Sequence, residues 1–221
     1  MTGSGLRTPR AAAIAGILFA LLLGLAFALI LISQPADPSK PGSWLSDPAR
    51  RRAVAVALNL VPFAGIAFLW FIGVVRDRLG TLEDRFFATV FLGSGLLFVA
   101  MLFVASAIGA ALVANAGTTA ATGTTSAPFA FARQVSTILI HTYALRMAGV
   151  FTMSTATILL RTRVVPRWIA ILGLAVALVL LLAVGLSPWL ELLFPAWIGL
   201  LSAAILWATM RRGGAPAALA G

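Results

Sequence analysis

AAAIAGILFALLLGLAFALILI, Ala11 to Ile32, runs for 22 consecutive residues without a polar side chain. A helix rises about 1.5 Å per residue, so this run reaches about 33 Å, enough to cross the roughly 30 Å hydrocarbon core of a bilayer. It is longer than the apolar core of a secretory leader, which holds about 7–15 residues. A retained transmembrane helix is therefore expected, in preference to a leader cleaved near Ala36.

Working outward, five further stretches have the same character: 53–75, 87–113, 134–160, 168–186 and 190–210. The whole chain of 221 residues is 61% hydrophobic and only 10% charged, with mean hydropathy +1.05. A single small core cannot hide that much apolar surface, so lipid must be the solvent for most of it. The expectation is all-α: a polytopic bundle of six spans filling residues 1–212, with a disordered tail at 213–221. The connection Ser33–Arg52, with Pro35, Pro38, Pro41 and Pro48, should be irregular, and the Gly/Ala/Thr-rich stretch Asn115–Pro128 a flexible link.

Net charge is +10, from 16 basic and 6 acidic residues. The basic residues cluster at the ends of apolar runs, which is the pattern of topogenic charge, and nucleic acid is not an expected partner. With the N-terminus inside, one side holds Arg7, Arg10, Arg76, Arg78, Arg85, Arg161, Arg163, Arg167, Arg211 and Arg212; the other holds Lys40, Arg50, Arg51, Arg52 and Arg133. That imbalance predicts both termini in the cytoplasm. One lysine among sixteen basic residues suits the coding bias of a GC-rich bacterium, which points to a bacterial cytoplasmic membrane.

No cysteine and one histidine exclude disulfides, iron–sulfur clusters and the usual zinc sets, so neither metal nor other cofactor is expected. No phosphate-binding loop, HExxH or GxSxG occurs, and an enzyme is the less favoured reading.

Two local patterns bear on packing. Gly16, Ala20, Gly24 and Ala28 recur every four residues, a small-residue stripe along which another helix can approach closely. Thr81 and Asp84 have capping-box spacing and predict the start of the third helix.

The fourth apolar stretch is the odd one. Between Arg133 and Arg161 it carries His141, Tyr143 and Arg146 among many Ser and Thr residues. Arg146 lies 13 residues from Arg133 and 15 from Arg161, about 20 Å from each, which predicts a guanidinium turned into the bundle interior. Counting back from the last arginine of each span puts His141 and Glu191 both 20 residues deep, and Asn59 at 17. The prediction is one polar cluster of Asn59, His141, Tyr143, Arg146 and Glu191 in the outer half of the bilayer. The alternative is a purely structural network, since intramembrane Ser, Thr and His often bond back to their own helix or tie helices together.

Gly73-Val-Val-Arg-Asp77-Arg78-Leu-Gly80 resembles the GxxxDRxG signature between the second and third helices of major facilitator transporters. The resemblance implies a cytoplasmic gate role for Asp77 and Arg78, and Arg146 with Gly149 resembles the arginine motif of that family's fourth helix. It covers 8 residues, and Thr81 and Leu82 stand where the family carries a basic pair. Separately, RVVPRWIAILG (Arg163–Gly173) and FPAWIGLLSAAILW (Phe194–Trp207) resemble the C-terminal part of six-helix membrane proteins of actinobacteria, which implies no activity.

The functional expectation is a membrane protein that binds a small solute or a lipid headgroup at the polar cluster, or scaffolds partner membrane proteins. Its partners would be the lipid bilayer and, for the alternative of a half-size transporter, a second copy in a homo-oligomer.

Overall fold

The structure, a computed structural model, describes residues 7–34, 47–79, 85–115, 127–162 and 165–213. Among the described residues there is no strand, and six helices follow one another: α1 Arg7–Ser33, α2 Pro48–Leu79, α3 Arg85–Ala114, α4 Ala127–Thr162, α5 Arg167–Leu182 and α6 Leu193–Gly213. Two 3-10 turns, Val184–Leu186 and Pro188–Leu192, join the last pair. Five helical stretches are long and apolar enough to cross a membrane; α5, with 16 residues, is the shorter exception. The chain is an all-helical membrane protein.

Of the boundaries that differ from the sequence expectation, three have a clear local setting. α2 begins at Pro48 rather than Ala53 because the Asp47 carboxylate accepts the Ala49 and Arg50 backbone N–H groups, at 2.9 and 3.4 Å. Proline suits the first helical position, and the Arg50 side chain pairs with Asp47 at 3.4 Å. Arg50, Arg51 and Arg52 are therefore helical, not part of a loop. α4 begins at Ala127 rather than Gln134, again with proline (Pro128) in its first turn, so Arg133 lies inside the helix. α5 stops at Leu182, four residues early, and Ser187 is extended before Pro188 restarts a helical turn. The capping residues Thr81 and Asp84, the side chains of Asp77 and Arg78, and the tail beyond Gly213 lie outside the described residues.

Neighbouring helices alternate in direction. Gly109 of α3 approaches Leu58 of α2 while Gly65 approaches Val99, and on α6 Gly199 meets Ala20 while Ser202 meets Gly16. One end of the bundle, here the near end, therefore carries Arg10, Arg76, Arg161, Arg167 and Arg211. The far end carries Gln34, Asp47 and the two 3-10 turns.

The near half is filled by phenylalanine. Phe68 of α2 lies 4.6–6.2 Å, centroid to centroid, from Phe19, Phe71, Phe98, Phe151 and Phe194, which come from α1, α2, α3, α4 and α6. Phe91 of α3 joins through Phe151 at 4.7 Å. Most pairs are tilted or edge-to-face, the arrangement the ring quadrupole favours, and each adds about 1 kcal/mol beyond its packing. Between helices in lipid such packing does the work that water-driven burial does elsewhere. α5 contributes no ring and is held instead by close approach. Gly173 leaves room for the Trp197 indole, whose Nε1–H donates to the Ile169 carbonyl at 3.1 Å, and Gly149 seats Leu180 and Leu181.

The small-residue stripe of α1 is only half used. Gly16 packs against Ser202 and Phe71, and Ala20 lies 3.0 Å from where a Cβ on Gly199 would stand. Gly24 faces open space and Ala28 is half-buried, so the close contact ends midway along the helix. The reason is that α6 begins only at Leu193, and the 3-10 turns replace it at the far end.

The perimeter is a wall of exposed Leu, Ile, Val and Phe. Trp70, Trp168 and Trp207 are exposed toward the near end, with the Arg211 guanidinium 4.0 Å above the Trp207 ring. Trp189 and Tyr143 are exposed toward the far end. Aromatic side chains concentrate at the two levels where a bilayer meets water, and these two groups mark such levels.

Candidate functional site

α4 is not uniform. Its α-helical hydrogen bonds widen to a π turn over Leu139–Ala144, where the Leu145 N–H reaches the Ile140 carbonyl five residues back. Single π turns within α-helices are rare and recur at functional sites. His141 sits in this turn. Its Nε2 lies 2.7 Å from the Glu191 carboxylate, presented by the second 3-10 turn, so the imidazole N–H donates to the acid. Glu191 is buried, its side chain 7% exposed, whereas the His141 side chain is 28% exposed and borders a cavity.

That cavity lies in the far half, above the phenylalanine layer, with a volume of about 180 Å³. Its walls come from all the helices around it: Phe27 and Gln34 of α1, Leu58 and Val61 of α2, Ser106 and Gly109 of α3, Arg133, Ser136 and Thr137 of α4, and Trp189 beside Glu191. Arg133 is 7% exposed although it is a guanidinium. It stands eight residues before His141, about 12 Å farther along the helix. The cavity is thus bounded by a cation toward the far end and by an imidazole–carboxylate pair nearer the phenylalanine layer.

The small polar side chains around it are already satisfied. Ser136 donates across to the Ala105 carbonyl of α3 at 2.9 Å, Thr137 to the Arg133 carbonyl at 3.0 Å, and Ser106 to the Phe103 carbonyl at 2.9 Å. Arg133, His141, Glu191 and Gln34 are the larger polar side chains that line the cavity. At roughly 30 Å³ per water, the cavity holds about six waters, or a solute of headgroup size.

The cluster expected from the sequence divides. His141 and Glu191 meet. Arg146, expected inside the bundle, is exposed: its Nη1 donates to the Thr142 carbonyl of its own helix at 2.9 Å. Tyr143, three residues away, is also exposed, at 53%. Asn59 faces outward and donates to the Ala55 carbonyl at 2.8 Å. The physical reason is depth. Counting from Arg133 treats that residue as the far edge of the hydrocarbon, but α4 continues beyond it to Ala127. Measured from Arg161 alone, Arg146 is 15 residues, about 22 Å, along the helix, within reach of the far interface for a long side chain. The remaining Ser and Thr of α4 behave as their type usually does within a helix: Thr152, Ser154, Thr155 and Thr157 each donate to the carbonyl four residues back.

Arg133 is the residue the sequence reading passed over. The signal for it was the apolar run Ala127–Phe131 just before it, which extends the helix and carries the arginine inward with it. Among the described residues no group of three or more His, Cys, Asp and Glu gathers where a metal could be held. Compared with protein-family models, curated proteins and solved structures, the chain finds no match.

Proposed function

We propose that the protein is a non-enzymatic, six-span component of a bacterial cytoplasmic membrane, with both termini inside. In this reading it binds a small polar solute or a lipid headgroup in the Arg133–His141–Glu191 cavity. The observation that carries the reading is a buried arginine and a buried carboxylate bordering one headgroup-sized space at the level of the exposed Trp189. Burying a charge in protein is costly unless it is paired, and a buried charge that lines a cavity suits the recognition of a polar guest. In this reading the positive-inside imbalance puts the near end in the cytoplasm, and the cavity in the half nearer the outside. A cation above an acid suits a guest carrying both an acceptor and a donor, such as a phosphoethanolamine group.

The test is titration of the purified protein with phosphoethanolamine, and separately with inorganic phosphate, followed by the emission of Trp189. A saturable change is expected that is absent in Trp189→Phe, abolished by Arg133→Leu and weakened by Glu191→Gln. No change in the native chain, or the same change in Arg133→Leu, would contradict the reading.

One feature favours transport by a homodimer of half-size units as a second reading. The cavity sits on one side of a sealed aromatic layer, as a substrate pocket does in one state of an alternating-access cycle. Uptake of a solute into vesicles holding the protein, with a twofold assembly in the same membrane, would support it.

A further inference from the structure

The cavity leaves one intramembrane charge unused. From Ile138 to Met153 the exposed positions of α4 are Ile138, Tyr143, Arg146 and Met153, so Arg146 stands alone as a cation on an apolar perimeter. The described carboxylates are engaged elsewhere, Asp47 with Arg50 at 3.4 Å and Glu191 with His141 at 2.7 Å. The Arg146 side chain runs one turn back toward the far end, as helical side chains lean, and spends one N–H on the Thr142 carbonyl. A guanidinium carries five N–H donors, and the exposed Arg146 has the others to offer. Tyr143, three residues earlier, is exposed too, at a spacing that brings side chains of a helix near one another.

We propose that Arg146 and Tyr143 hold the phosphate of a membrane phospholipid against the outside of the bundle, in the leaflet at the far end. Three observations favour this occupant. Tyr143 is 18 residues, about 27 Å, from Arg161, which puts the phenol at headgroup level and the guanidinium within a turn of it. The surrounding perimeter is apolar, as acyl chains require. Among the described carboxylates a second copy of the chain offers none here: Asp47 pairs with Arg50 at the start of α2, and Glu191 is buried against His141. A phosphodiester accepts charge-assisted hydrogen bonds from the guanidinium fork and the phenol together, which relieves the cost of an arginine facing lipid. The site is independent of the cavity and does not need a solute there.

The test is native mass spectrometry of the full-length chain in detergent, titrated with dioleoyl phosphatidic acid or with dioleoylglycerol, which lacks the phosphate. The native chain should retain the phosphate-bearing lipid in clear preference. Arg146→Leu should weaken that association about fivefold, the factor one arginine supplies near an anionic lipid. Arg146→Lys should keep most of it, Tyr143→Phe should lose a smaller part, and Asn59→Leu, an exposed side chain bonded to its own helix, should match the native chain. Arg146→Leu removes an exposed charge, so its melting temperature should stay near native and confirm a folded protein. Equal retention of the two lipids, or undiminished retention by Arg146→Leu, would overturn the proposal. A loss produced by Arg133→Leu and not by Arg146→Leu would put the phosphate in the cavity and overturn it too.

Discussion

The two halves of the bundle differ in what fills the space between their helices. In the near half, packed with phenylalanine rings, the hydroxyls of Thr152, Ser154 and Thr155 turn back to carbonyls of their own helix. In the far half, Ser136 reaches across to α3 and His141 reaches across to Glu191. Ring packing supplies most of the contact between helices there, with the Trp197 indole to the Ile169 carbonyl as a polar tie, and these hydroxyls serve their own backbone. Where the helices part around a cavity, hydrogen bonds between elements take over. The near half should therefore be the stiffer and the far half the part that responds to a guest.

The largest expected effect tests the ring-packed half. Phe68→Ala removes the ring that touches five others and should cost about 3–5 kcal/mol of stability, measured by reversible unfolding in mixed micelles. A loss below 1 kcal/mol would show that the aromatic layer is not what holds the helices.

An intermediate effect sharpens the contrast from the far side. His141→Leu strands the buried Glu191 carboxylate and should cost about 2–4 kcal/mol, while the double change His141→Leu with Glu191→Leu should recover much of it. That recovery is the signature of a pair kept for a task other than stability. Simple addition of the two single losses would instead mark two independent contributions.

The smallest effect returns to the near half. The Ser202 hydroxyl is fully buried beside Gly16 and has no hydrogen-bond partner. Ser202→Ala should therefore be neutral or stabilising by about 1 kcal/mol, read as a rise in melting temperature. A clear loss would mean the hydroxyl bonds to something in the membrane.

Most of the helical plan was legible because spans depend on local runs of apolar residues. The misplaced ends belong to features that act over short range but compete with composition: the Asp47 cap and Pro48 at α2, Pro128 at α4 and the early stop of α5. The contact of His141 with Glu191 was legible by equal counts of residues from Arg161 and Arg211, since helix rise is constant. Arg146 was not, because its depth was measured against Arg133, whose own position depended on where α4 begins. The π turn carries no mark in Leu139–Ala144 themselves; the contacts that accompany it, Ser136 to Ala105 and His141 to Glu191, are tertiary.

The chain has no cysteine, so single cysteines can report where water enters. The most direct measurement is the rate at which a small charged thiosulfonate reagent, added from outside to sealed vesicles, modifies Thr137→Cys in the cavity wall and Ser154→Cys beside the phenylalanine layer. Thr137→Cys should react readily, and more slowly once phosphoethanolamine is present, while Ser154→Cys should stay unmodified. Equal rates at the two positions, or no reaction at Thr137→Cys, would contradict a water-filled far half above a sealed near half.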